Sequence, residues 1–404
     1  MRLEFGYQAK FRTTSERNIY TISALEEWKQ TVAEQMPHLS VPQVTVLALW
    51  SFGMVISHSC GLTSVSSSLA TLMGVKENSV RQRIREWSYA KDDKRGKGRC
   101  EIEVSSSFVP LLRWILSWWS VNEKRLALAM DATSLGQVLV VLVISVVYRG
   151  CAIPVAWHVL PATEPGSWKK PWLDLFSHFE GVIPEDWVVI VMADRGLYAS
   201  WLFEAIQKCK WHPFLRINNR IFFRPKDEQE FKALHAAFQQ PGCIWSGVGT
   251  CFKTNSLEAT LLVRWEEGYE EPWLILTDLP DKQANPCWYG LRAWIECGFK
   301  HIKSAGWQWQ YTRMVDSERA TRFWLAMAVA TLWVLSIGGQ ADANIPASSF
   351  YALPENHIAR SRSPKNSCVR LLSCFHRGMM IIITTLIAQR QLPLGRFIPE
   401  PWPS

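Results

Sequence analysis

The sequence predicts an α/β chain with a helical N-terminal third, an α/β middle interrupted by a β-rich stretch, and a helical C-terminal tail. Three observations carry this reading. In the middle, short apolar β-branched runs end in acids and give way to helical patterns, which is the grammar of α/β folds. Residues 1–125 read as amphipathic helices, and residues 214–282 as strands separated by glycine-bearing turns. At 404 residues the chain exceeds one ordinary core, and the expected divisions are 1–125, 126–213, 214–282, 283–337 and 338–404.

Composition narrows the function classes. With 48% hydrophobic and 20% charged residues the chain folds rather than staying disordered. It holds 22 Trp against 18 Phe and 9 Tyr, which indicates large buried anchors, flat stacking surfaces, or both. The net charge of +8 favours polyanionic partners. It divides into +5 over 1–125, −1 over 126–336 and +4 over 337–404. Basic ends around a near-neutral centre suit a protein that grips DNA about an acidic site. The start lacks the apolar segment of a signal peptide, and no run reaches the roughly 20 apolar residues of a membrane span, so no membrane partner is expected. The ten cysteines contain no CxxC pair and read as reduced thiols of a cytoplasmic protein.

The elements follow in order. Leu69–Val75 reads as a short helix stopped at Gly74, and about Asn78–Trp87 as a second helix. Ala70, Gly74 and Val80 have helix-turn-helix spacing, and Arg81, Arg83 and Arg85 on the second helix are positioned to reach DNA phosphates or base edges. The ordinary alternative is a helical hairpin with a solvated basic face. Lys91–Arg99 reads as a linker, and Phe108–Trp119 as a Trp-rich helix. Leu126–Met130 is a strand closed by Asp131, followed by a turn over Ala132–Gln137. Val138–Tyr148 and Cys151–Leu160 complete a meander. A helix over Trp168–Phe179 precedes a strand over Trp187–Met192 that leads into Ala193-Asp194-Arg195-Gly196, and Tyr198–Cys209 is helical. Within the β-rich stretch Leu261–Trp265 and Trp273–Thr277 are strands. Helices over about Cys287–Lys303 and Ser317–Ile337 follow, then a basic Arg360–Pro364 stretch and an apolar patch at Met379–Ile387.

Three acids stand out by position. Asp131 and Asp194 each close an expected strand, and Glu296 lies on a helix with Tyr289, Arg292 and Lys303. Offsets of three, four and seven put these four on one helical face. Three carboxylates form the hard-oxygen set that binds Mg²⁺, and the cations suit flanking phosphates. Taken singly, Asp194 also reads as a helix N-cap, Asp131 as a turn acid, and Glu296 as half of a surface ion pair with Lys300 or Lys303. Arg195 could act on phosphates or on Asp194 itself.

Taken together, these motifs resemble the DDE transposases of bacterial insertion sequences, specifically the insertion-sequence-four class with its Y-R-E-K signature. Asp131-Ala-Thr is similar to the first-acid motif and Ala193-Asp194-Arg195-Gly196-Leu197-Tyr198 to the second. Tyr289, Arg292, Glu296 and Lys303 reproduce the signature's spacing. The acids stand 63 and 102 positions apart, and the long second gap matches the β-rich insertion of that class. The resemblance covers about residues 126–337. It implies a ribonuclease-H-like catalytic core in which Asp131, Asp194 and Glu296 are catalytic and hold two Mg²⁺ ions, with Mn²⁺ able to substitute. It also implies cleavage of double-stranded DNA at element ends, joining of the freed 3′-OH to target DNA, a homodimeric synaptic complex, and a bacterial, nucleoid-associated location. Tyr289, Arg292 and Lys303 would hold phosphates, and an aromatic of the β-rich stretch, Trp245 first and Trp265 second, would stack on a flipped base. The alternatives are a DNA-binding relative that has lost catalysis and a structure-selective nuclease on the same fold.

Overall fold

The computed structural model describes residues 14–96, 99–163, 168–345 and 372–403. Four helices come first: α1 Thr14–Gln35, α2 Val41–Ser57, α3 Leu62–Met73 and α4 Glu77–Trp87. Gln43 accepts a hydrogen bond from the Ser40 N–H at 2.9 Å and so caps the start of α2. Gly74 ends α3 in the left-handed conformation, φ 65°, that favours glycine. On α4, Val80, Ile84 and Trp87 are buried, while Arg81, Arg83 and Arg85 face outward. Helix α5 covers Phe108–Ser117.

Strands β1 (Arg125–Leu135), β2 (Leu139–Tyr148) and β3 (Cys151–Pro161) form the expected antiparallel meander. Asp131 does not close β1. The strand continues to pair with β2 as far as Leu135 opposite Leu139, so the turn lies at Gly136, φ 55°. After α6 (Lys169–Ser177), β4 (Val188–Ala193) lies parallel to β1. After α7 (Ser200–Lys208), β5 (His212–Arg216) lies parallel to β4.

The β-rich stretch continues this sheet rather than standing apart from it. It supplies β6 (Phe222–Pro225), β7 (Lys232–Ala233), the short α8 (Leu234–Ala237), β8 (Ile244–Cys251), β9 (Leu257–Arg264) and β10 (Trp273–Thr277). All ten strands form one sheet in the order β3-β2-β1-β4-β5-β10-β9-β8-β6-β7. Strand β10 pairs antiparallel with β5 and satisfies an edge that would otherwise leave backbone groups unpaired. The division expected at 213/214 therefore falls inside β5.

Side-chain alternation assigns the two faces of the sheet. Leu126, Leu128 and Met130 point into the larger apolar cluster, which also contains the helices. Ala127, Ala129, Ile190, Met192 and Phe214 point into a smaller cluster with Tyr289, Leu291 and Trp294. Asp131, Asp194 and Arg216 are the next alternate positions after these, so they lead toward the second face.

Helix α10 (Ser317–Ala341) is the central helix on the larger face. By length and composition it is long and apolar enough to cross a membrane, and 94% of its most apolar window is buried inside the protein. Trp28 of α1 stacks on its Trp333 at 4.2 Å, so the N-terminal helices share one continuous core with the sheet. The C-terminal segment is also built into this body. Helix α11 (Cys374–Ile387) crosses α10 where Gly378 meets Val334 and Gly338. Beyond it, Phe397 exchanges backbone hydrogen bonds of 2.8 and 2.9 Å with Trp118 and Ser120. The basic Arg360–Pro364 stretch lies outside the described residues.

Candidate active site

In parallel register, Met130 on β1 lies opposite Ala193 on β4. The residues after them, Asp131 within β1 and Asp194 just past the end of β4, therefore stand side by side, about 5 Å apart in backbone spacing. Each carboxylate first turns back on its own chain. Asp131 Oδ1 accepts from the Ala132 N–H at 2.8 Å, and Asp194 Oδ1 from the Arg195 N–H at 2.6 Å. Helix α7 starts six residues beyond Asp194, so Asp194 is not its N-cap.

The signature segment is three pieces rather than one helix. A 3₁₀ segment covers Pro286–Ala293, α9 covers Trp294–Lys300, and a π turn covers His301–Ala305. Three residues per turn put Tyr289 and Arg292 on one face of the 3₁₀ segment. Close packing sets its position: a Cβ on Gly298 would come within 2.8 Å of the Ala152 side chain on β3.

Arg292 joins the three acids. Its Nη2 lies 2.6 Å from Asp131 Oδ2 and 3.8 Å from Asp194 Oδ2, and its Nη1 donates to Glu296 Oε1 at 2.8 Å. Arg292 is 5% exposed, and its Nε meets no acceptor among the described residues. Burial pushes the Asp131 carboxyl above the usual carboxylate range, and Arg292 pulls against that shift. Tyr289 is buried, and its hydroxyl donates to the Ala193 carbonyl at 3.4 Å, just before Asp194.

The other residues expected to contact DNA lie as follows. Tyr289 and Arg292 are both buried, Tyr289 against the Ala193 carbonyl and Arg292 against the acids. Lys303 lies within the π turn, whose larger number of residues per turn shifts it off the face shared by Arg292 and Glu296. It is half-buried and forms no ion pair with the acids among the described residues. The Arg195 side chain bonds Glu271 Oε2 through its Nη1 at 2.7 Å, while its backbone N–H bonds Asp194 Oδ1. Trp245 lies in β8, half-buried, with its ring 6.0 Å from that of Phe223, 5.8 Å from that of Phe238, and folded over Gly247. Trp265 is half-buried and donates to the Tyr269 carbonyl at 2.9 Å. Arg81, Arg83 and Arg85 are exposed as expected, on α4, whose buried residues Val80, Ile84 and Trp87 belong to the larger apolar cluster.

Two site residues were not anticipated. Arg216 ends β5, is 2% exposed, and lies 3.9 Å from Glu271. Burial lowers its pKa, and the Asp194 carboxylate acts against that shift. Its position at a strand end on the site face was the available signal. Glu271 gave none, because it sits in an acidic run that reads as a solvated loop.

The donor chemistry suits a hard divalent cation, since three carboxylates converge. The arrangement as it stands does not hold one. Among the described residues no group of three His, Cys, Asp or Glu is disposed to share an ion, and the guanidinium lies between the carboxylates.

No protein-family model matches the chain, and no curated protein matches it. Among solved structures it is similar to the piggyBac transposase in its synaptic complex with hairpin DNA. That likeness has a TM-score of 0.33 and 11% identity, and covers 78% of this chain and 79% of that one.

Proposed function

We propose that the chain is a DDE-type DNA transposase of the insertion-sequence-four class, with a ribonuclease-H-like catalytic core. The single observation that carries this reading is the meeting of Asp131, Asp194 and Glu296 at one guanidinium. These acids come from three separate elements and match the family motifs in order. The strand order β3-β2-β1-β4-β5, with β1 between an antiparallel and a parallel neighbour, supports the core assignment.

In this reading the chain cuts a phosphodiester at each element end with water, leaving a 3′-OH that then attacks target DNA. Asp131, Asp194 and Glu296 are the catalytic acids, and the reaction depends on Mg²⁺ or Mn²⁺. No step is assigned to the ion, because the arrangement found does not hold it. Arg81, Arg83 and Arg85 bind duplex phosphates, two protomers pair the ends, and the protein works in the bacterial cytoplasm.

The test is incubation of the full chain with duplex DNA bearing the native element ends and Mg²⁺ or Mn²⁺. Wild type nicks and joins the ends, and Asp194→Ala binds the same DNA without cutting. Cutting by the mutant overturns the site assignment. Binding without cutting by wild type favours the inactive DNA-binding relative, and cutting without joining favours the nuclease.

A further inference from the structure

We infer that Arg292 is the resident cation of the acid cluster, and that it and a divalent metal ion occupy the cluster in alternation. This rests on reading the cluster as a metal-dependent site. One guanidinium touches all three acids, at 2.6, 3.8 and 2.8 Å. Partly buried carboxylates this close require a counter-charge, and Arg292 supplies it.

The oxygens that face Arg292 are the ones an ion needs. Mg²⁺ takes oxygens at about 2.1 Å in a near-octahedral shell. Asp131 Oδ2 and Glu296 Oε1 already spend their short contacts on Nη2 and Nη1. Two cations sharing these oxygens would also repel each other. A metal ion therefore enters only as the guanidinium leaves.

The position of Arg292 is compatible with leaving. Its buried Nε has no acceptor among the described residues, so the head is held by the acids and not by a complete hydrogen-bond cage. Arg216 and Arg195 lie on the Glu271 side and close that route with like charge. Glu296 is the most open of the three acids, at 37% side-chain exposure, so the guanidinium departs past it toward solvent.

The experiment is Mn²⁺ titration of the full chain without DNA, read by electron paramagnetic resonance of free Mn²⁺ and by the shift in melting temperature. Arg292→Met is expected to bind Mn²⁺ about tenfold or more tightly than wild type. Arg195→Met, which removes a neighbouring charge that does not bridge the acids, is expected to change affinity little. Equal affinity in wild type and Arg292→Met overturns the alternation while leaving the metal site standing, and an equal gain in Arg195→Met overturns it as a general charge effect. No Mn²⁺ binding by the folded Arg292→Met protein overturns the metal-dependent reading itself. If Arg292→Met does not fold, Arg292→Lys decides. Its ammonium cannot span Asp131 and Glu296 together, so a several-fold gain supports the alternation and unchanged affinity overturns it.

Discussion

Nη2 of Arg292 lies 2.6 Å from Oδ2 of Asp131, a contact that spans 161 positions of sequence. It ties the 3₁₀ segment over the second face of the sheet to the middle of β1. Replacing Arg292 by Met should cost about 3–5 kcal/mol at neutral pH, because three carboxylates lose their counter-charge. The sign with pH follows from Asp131, whose carboxyl is already raised by burial. Without Arg292 it rises further, so the native state binds protons more readily than the unfolded chain, and stability falls as pH rises through that window. Urea unfolding at about pH 8 and about pH 5 should show the deficit of Arg292→Met shrinking in acid.

The crossing of α10 and α11 depends on a missing side chain. A Cβ on Gly378 would stand 1.9 Å from the Val334 carbonyl oxygen and 2.9 Å from the Gly338 nitrogen. Neither backbone atom can move aside cheaply. Gly378→Ala should therefore lower stability by about 1–3 kcal/mol, as overpacking does, despite the better helix propensity of alanine. A melting temperature equal to wild type would show that the helices separate without cost.

His301 provides a pH signature distinct from that of the acids. It is buried against Phe375, with ring centroids 4.4 Å apart, and lies 3.4 Å from Ser373 Oγ. Burial pushes its pKa down from 6.5 to about 4, with the charges of His376 and Lys300 adding to the shift. Between those values the unfolded chain binds the proton and the native protein does not, so stability falls as pH falls, by roughly 3 kcal/mol over the full window. Substituting His301→Gln should flatten this part of the stability curve in urea titrations between neutrality and about pH 4.5.

The exposed arginines of α4 can be tested apart from the acids. Changing Arg81, Arg83 and Arg85 to Gln should leave the unfolding free energy within about 1 kcal/mol of wild type, because the three face solvent. Duplex affinity should fall, and the slope of log affinity against log salt should shrink by roughly one unit for each arginine that contacts a phosphate. Fluorescence anisotropy across a salt series gives both quantities. An unchanged slope would remove α4 from the DNA interface.

Much of the local structure was legible. The apolar run before Asp194 ends where β4 ends, the meander lies where expected, and Gly74 stops α3. Asp131 was misplaced because Ala132-Thr133-Ser134 reads as a turn, whereas pairing with β2 holds those residues in a strand. The tryptophans resolve toward core: Trp28, Trp50, Trp114, Trp157, Trp172, Trp211, Trp307, Trp309, Trp324 and Trp333 are among the largest fully buried side chains. Composition alone could not separate this from stacking surfaces.

By itself the sequence determined which residues share a face within one element, because alternation along a strand and the turn of a helix are local geometry. It also placed three acids in an order that matches a known set of motifs. Only the tertiary structure decided what those acids meet. The register that sets Met130 opposite Ala193 brought Asp131 and Asp194 together. The packing of the signature segment on the second face then carried Arg292 in between them and Glu296. Contacts between distant elements depend on sheet register and on how closely surfaces approach, and neither is written in the spacing of residues along a single element.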